Sequence, residues 1–124
     1  MGILTKSFIL VSLLLVGCSN KAIIRETIIT RGLKIEWYLE SYITSTRDFI
    51  TVTKEGKTET ILDIASECVT DVWLVGDTIY IKMKPVAPYS QETSAFGYMI
   101  VLDKTATTDD WQRVYAPSLY QKKH

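Results

Sequence analysis

From Leu33 to Ile43 the apolar residues of this chain fall at every second position: Leu33, Ile35, Trp37, Leu39 and Ile43 alternate with Lys34, Glu36, Tyr38, Glu40 and Tyr42. Side chains alternate across a strand and recur every 3.6 residues or so on a helix, so this run fits a strand with one buried face. Its length predicts a central place in a sheet. The other face then presents Tyr38 and Tyr42 among Lys34, Glu36 and Glu40.

The flanking segments carry signals of the same kind. Arg31-Gly32 turns the chain ahead of the long strand. Before it, Ala22 to Ile29 is an irregular strand candidate, because its paired isoleucines, Ile23-Ile24 and Ile28-Ile29, fit neither period. Thr44 to Asp48 reads as a turn, Phe49 to Lys54 as a returning strand, and Glu55-Gly56 as a hairpin into Lys57 to Ile64. The many threonines suit half-exposed strands better than helices. Asp71 to Val75 and Thr78 to Lys84 flank Gly76-Asp77, where glycine supplies the positive φ that closes a two-residue hairpin.

Pro85 to Ser94 contains two prolines, which deny ladder donors, and reads as a surface loop. Phe96 to Asp103 is a strand, apolar on both faces and expected to be covered on both. Thr108 to Tyr115 fits a short helix capped by Thr108 with Asp109 and Asp110 in its first turn, or an edge strand through Trp111, Arg113 and Tyr115. It is read as a short helix or turn before Pro117. The fold expected is all-β in the main: six or seven strands, an antiparallel sheet curling into a small sandwich or partial barrel, and one short C-terminal helix. Its core should draw on Leu33, Ile35, Trp37, Leu39, Ile50, Val52, Leu62, Val72, Leu74, Ile79, Ile81, Ile100 and Leu102.

Ahead of this domain, Lys6 precedes the apolar run Phe8 to Val16. The run has the length of a signal-peptide h-region and falls short of the roughly 20 residues that span a bilayer. Leu15-Val16-Gly17-Cys18, with polar Ser19-Asn20-Lys21 directly after it, resembles the lipobox of bacterial lipoproteins. The resemblance covers residues 1–18 only. It implies a signal peptide over residues 1–17, cleavage before Cys18, a diacylglyceryl group on the Cys18 sulfur and often an acyl chain, such as palmitate, on its new amino group. Two or three chains hold a protein on a bilayer far more durably than one. Ser19 stands where some enterobacterial lipoproteins carry the aspartate that keeps them at the inner membrane, so the resemblance points to the outer membrane. An ordinary secretory signal with Cys18 incidental, and an uncleaved interfacial helix, are the alternatives for the same stretch. The organisation expected is a signal peptide (1–17), a lipidated cysteine and short tether (18–21), a single β domain (22–118) and a C-terminal tail (119–124).

Composition narrows the function. Lys and Arg number 14 and Asp and Glu number 14, a balance with no electrostatic footprint for nucleic acid. With Cys18 acylated, Cys68 has no intramolecular partner and is expected as a buried small hydrophobe. The one histidine is His124, the last residue, which argues against histidine-based triads and zinc clusters. Glu36 and Glu40 share a strand face but stand roughly 13 Å apart, beyond the ~5–9.5 Å of glycosidase carboxyls. No metal, cofactor or catalytic residue is assigned.

The feature with functional pull is the polar face of the long strand. Tyr38 and Tyr42, joined by Tyr80 and Lys82 if their strand lies on the same face, would make an aromatic and charged surface suited to flat contact with a protein or glycan. The function expected is that of a cell-envelope lipoprotein acting by binding, with an envelope protein or a glycan as partner. The alternative is a lipid-anchored inhibitor or immunity factor that uses the Pro85 to Ser94 loop.

Overall fold

The computed structural model describes residues 21–119. Cys18, the 1–17 segment, Ser19, Asn20 and residues 120–124 of the tail lie outside the described residues. The strands are β1 (Lys21–Thr30), β2 (Leu33–Ser41), β3 (Thr46–Lys54), β4 (Lys57–Ala65), β5 (Val69–Val75), β6 (Thr78–Met83), β7 (Ser90–Gln91), β8 (Ser94–Ala95) and β9 (Tyr98–Asp103), followed by the helix α1 (Thr108–Tyr115). They form two sheets. Sheet 1 has the order β1-β2-β3-β4-β7 and is antiparallel throughout; sheet 2 has the order β5-β6-β9-β8, with β9 parallel to β6. The fold is all-β in the main, with two sheets, a short C-terminal helix and no closed barrel.

The tight turns lie where glycine marked them. Thr30 pairs with Leu33 across Arg31-Gly32, and Lys54 pairs with Lys57 across Glu55-Gly56. Val75 pairs with Thr78 across Gly76-Asp77, and Gly76 takes φ 58° there. A fourth turn corrects the reading of Phe96 as strand: Phe96 and Gly97 both adopt positive φ, 53° and 80°, between β8 and β9. Two successive positive φ values define the turn whose twist matches a hairpin, with glycine at its second position.

The isoleucine pairs of β1 are explained by a bulge. Opposite β2 the register shifts between Ile24 and Glu26, leaving Arg25 unmatched. An extra residue reverses the alternation beyond it. Ile24, opposite Tyr38, therefore faces outward, and after the bulge Ile28, opposite Ile35, packs on the core while Ile29 is exposed.

Both sheets contribute to one apolar core. Leu33, Ile35, Trp37, Ile50, Val52 and Leu62 of sheet 1 meet Val72, Ile79, Ile81 and Ile100 of sheet 2, all buried as expected. Leu39, Leu74 and Leu102 are only half-buried, while Ile61, Ile64, Val69, Met83 and Tyr98 join the core without having been expected there. Ile43 leaves it entirely: β2 ends at Ser41, and Ile43 stands in the turn that follows, fully exposed. Conversely Thr46, Arg47 and Asp48, read as turn, open β3, and Asp48 is buried. On β9, Met99 is exposed, so this strand is not covered on both faces.

The segment between β6 and β9 is more than a surface loop. Its residues 90–91 extend sheet 1 as β7 and its residues 94–95 extend sheet 2 as β8, so one crossover ties the two sheets together. Backbone bonds from Tyr89 N–H to the Asp63 carbonyl and from Glu92 N–H to the Ile61 carbonyl, 2.8 and 2.9 Å, hold it against β4. The helix is capped one residue earlier than expected, by Thr107. Its hydroxyl accepts from Asp110 N–H at 3.1 Å, and the Asp110 carboxylate accepts from Thr107 N–H at 2.8 Å. This reciprocal pair satisfies donors that a helix start leaves orphaned.

Candidate functional site

The outer face of sheet 1 carries a continuous set of aromatic and charged side chains, placed there by cross-strand register. Tyr38 on β2 lies opposite Phe49 on β3, and their rings stack with centroids 5.5 Å apart. Two pairs further toward the end of the sheet, and so on the same face, Glu40 lies opposite Arg47. The Arg47 guanidinium sits 4.3 Å from the Tyr89 ring centroid and 5.9 Å from that of Tyr42, and Nη1 donates to Asp63 Oδ2 at 3.1 Å. Tyr42 donates its hydroxyl proton to Glu40 at 2.5 Å, which pushes the Tyr42 pKa up. Partial burial, reinforced by Glu40, Glu36 and Asp63, does the same to Tyr38.

Two shallow depressions meet at this row. One of about 320 Å³ is lined by Ile24, Glu36, Tyr38, Glu40, Thr51 and Thr58, and one of about 290 Å³ by Tyr42, Thr44, Ser45 and Arg47. Flat rings, hydroxyls and a few fixed charges offer a ligand both stacking area and hydrogen bonds. Two polar atoms of the row, Arg47 Nε and Asp63 Oδ1, are enclosed without a hydrogen-bond partner.

On the inner face of the same sheet a second polar cluster is closed. Asp48, adjacent to Arg47 but pointing inward beside Ile50, is fully buried. Its carboxylate accepts from Arg25 Nε and from Trp37 Nε1, each at 3.3 Å. The Arg25 guanidinium, delivered by the β1 bulge, lies 4.9 Å from the Tyr115 ring centroid and 5.9 Å from that of Trp37. The Tyr115 hydroxyl sits between the Val69 carbonyl and Asp48 Oδ2, 3.3 Å from the latter. It has one proton for these two acceptors. Burial pushes the Asp48 carboxyl above its usual value despite the Arg25 charge, and burial with the Asp48 charge pushes the Tyr115 phenol up as well. This cluster fastens α1 to both sheets.

Tyr80 and Lys82 are not brought to the Tyr38 face. They project outward from β6 in sheet 2, where Tyr80 stacks on Trp73 at 5.5 Å and Lys82 pairs with Asp110 at 3.2 Å. Hydrogen bonds from Thr107, first its backbone N–H, with Lys82 and Arg113, hold the Asp110 carboxyl well below the usual carboxylate range. These contacts commit Lys82 to the helix start. Cys68 is free and buried, its thiol pushed up by burial against a smaller opposing pull from Lys84.

Phe49, Arg47 and Tyr89 were missed as parts of the outer row. The first two carried a usable signal: once Ile50 and Val52 are assigned inward, Phe49 must face outward and, with the strand extended by three residues, so must Arg47. For Tyr89 no local signal existed. Among the described residues there is no group of three or more His, Cys, Asp or Glu that could hold a metal ion, and no helix long and apolar enough to cross a membrane. No protein-family model, no curated protein and no solved structure matches this chain.

Proposed function

We propose that the chain is a bacterial cell-envelope lipoprotein, held at the membrane through Cys18, whose β domain acts by binding an envelope protein or a glycan on the outer face of sheet 1. The observation that carries the binding reading is the outer row itself, in which the Tyr38–Phe49 stack runs on into Arg47 held between Tyr42 and Tyr89. Rigid rings give contact area at low entropic cost, and the guanidinium adds directed donors. A non-catalytic role is supported by the commitments of the titratable groups: Asp48 serves Trp37 and Arg25, and Asp110 serves the helix cap. The lipobox resemblance of Leu15 to Cys18 supports the anchor.

Two measurements test this reading. Cys18→Ser should abolish labelling by a clickable fatty acid and release the protein from the membrane fraction; full retention would make the hydrophobic segment itself the anchor. A photo-crosslinking amino acid at Tyr38 should trap an envelope protein or peptidoglycan in living cells, whereas the same group at Tyr80, on the opposite outer face, should not. Equal trapping at both positions, or none at Tyr38, would sink the binding face.

A further inference from the structure

Exposed apolar side chains occur at both ends of the domain, Ile29, Val75 and Met99 at one, but only the other carries a fully exposed one at a turn tip, Ile43. Register fixes what meets there: Lys21 lies opposite Ser41, Ser41 opposite Thr46 and Arg47 opposite Ala65. The start of β1, the turn at residues 42–45 and the end of β4 therefore share this end, and Tyr89 is tied to it through Asp63. The turn is tight, with Tyr42 N–H donating to the Ser45 carbonyl at 2.7 Å, and it thrusts Ile43 out with no cover at all. Ile23, Ile24, Tyr42 and Tyr89 stand exposed around it.

Turn tips ordinarily carry glycine, proline, asparagine, aspartate or serine. The opposite end of the molecule follows that rule, with turns at Arg31-Gly32, Glu55-Gly56 and Gly76-Asp77. The 42–45 turn instead carries a fully exposed isoleucine next to Tyr42.

We infer that this end of the domain rests on the lipid bilayer, with Ile43 entering the interface and Tyr42 and Tyr89 at headgroup level. The inference rests on the anchor proposed at Cys18. Two residues, Ser19 and Asn20, separate Cys18 from Lys21, and the three residue steps between them span at most about 11 Å when fully extended. The headgroup region on one side of a bilayer is itself roughly 5–8 Å deep. An acylated Cys18 thus holds the start of β1 at the interface, and the 42–45 turn lies beside it because β1 and β2 are paired. Tyrosine is enriched at membrane interfaces, where its ring is apolar and its hydroxyl wet. In this pose sheet 1 stands on end. The foot of the outer row, at Tyr42 and Tyr89, then meets the headgroups, while Tyr38, Phe49, Glu36 and Thr58 above it are lifted clear of lipid and presented sideways to a partner.

The test uses the full lipidated chain in phosphatidylethanolamine and phosphatidylglycerol vesicles, with an environment-sensitive fluorophore on Ile43→Cys or, at the other end of the molecule, on Met99→Cys. Buried Cys68 and acylated Cys18 leave the introduced thiol as the reactive one. The label at position 43 should shift to the blue and lose most of its intensity to lipids spin-labelled near the headgroup, while the label at 99 should do neither. Position 43 behaving like position 99 in protein that floats with the vesicles overturns the inference and leaves the anchor standing. Shielding of position 43 from aqueous iodide without quenching by the lipid labels would place a second copy over the tip, which also overturns it. Label uptake by the wild-type chain, with no flotation, would reveal a free Cys18 thiol; the anchor then fails and takes the bilayer contact with it.

Discussion

Arg47 and Asp48 are neighbours on β3, yet they belong to two clusters of similar chemistry on opposite faces of one sheet. Outside, Arg47 pairs with Asp63 between the rings of Tyr42 and Tyr89. Inside, Asp48 pairs with Arg25, whose guanidinium lies against Trp37 and Tyr115. Each has an arginine, an aspartate and two aromatic rings. Water distinguishes them: the Arg47 and Asp63 side chains are 36% and 16% exposed, those of Arg25 and Asp48 22% and 0%. The inner carboxylate has its acceptors filled by protein donors and its proton affinity raised by burial, whereas the outer row keeps open rings and two unpartnered polar atoms. Similar residue types thus make a closed fastener on one face and a partly exposed row, the proposed contact surface, on the other.

The largest effect should come from emptying the inner face. Trp37→Ala removes a buried ring and a donor to Asp48, at an expected cost of about 3–5 kcal/mol in urea unfolding, while Tyr38→Ala, one residue on and facing out, should cost far less. Equal losses for the two variants would mean that the outer face is covered, and the comparison would break.

Asp48→Ala should come next, costing about 1–3 kcal/mol at neutral pH because Trp37 Nε1 and Arg25 lose their acceptor. Its pH dependence sharpens the contrast. Burial raises the Asp48 pKa above the usual 3.8, so in the interval between 3.8 and the raised value the native state binds more protons than the unfolded one. Stability from this group is then fully present below that interval and falls as pH rises through it. The gap between wild type and Asp48→Ala should therefore widen as pH is lowered from 7 toward 4; a gap independent of pH would show that burial leaves the proton affinity of Asp48 unchanged.

Arg47→Ala should move stability least, within about 1 kcal/mol, since a partly exposed ion pair contributes little. It should nonetheless abolish photo-crosslinking from Tyr38. Unchanged crosslinking would remove Arg47 from the contact surface and leave the aromatic rings alone to carry it.

How far these clusters were legible in the sequence follows from the range of the interactions behind them. Alternation along residues 33–40 placed Trp37 inward and Tyr38 outward, because the side-chain period of a strand is a local property. Glycine at Gly32, Gly56 and Gly76 marked three hairpins, because a positive φ is a property of the residue itself. The same locality put a helix start within one residue of Thr107 and an acidic first turn after it.

What the tertiary structure decided lies beyond that range. Alternation says which way a side chain points relative to its own strand but not which sheet the strand joins, so Tyr80 and Lys82 could be grouped with Tyr38 on paper although β6 pairs into the other sheet. The parallel pairing of β9 with β6, and the division of residues 90–95 between the two sheets, depend on contacts between segments far apart in the chain. Arg25 reaches Asp48 only because a bulge, defined by the partner strand, reverses the alternation of β1. A buried carboxylate is tolerable only where donors converge on it, and those of Asp48 come from β1 and β2, 23 and 11 residues away in the chain, with the Tyr115 hydroxyl of α1 beside it, 67 residues on. Only the folded chain brings them to one point.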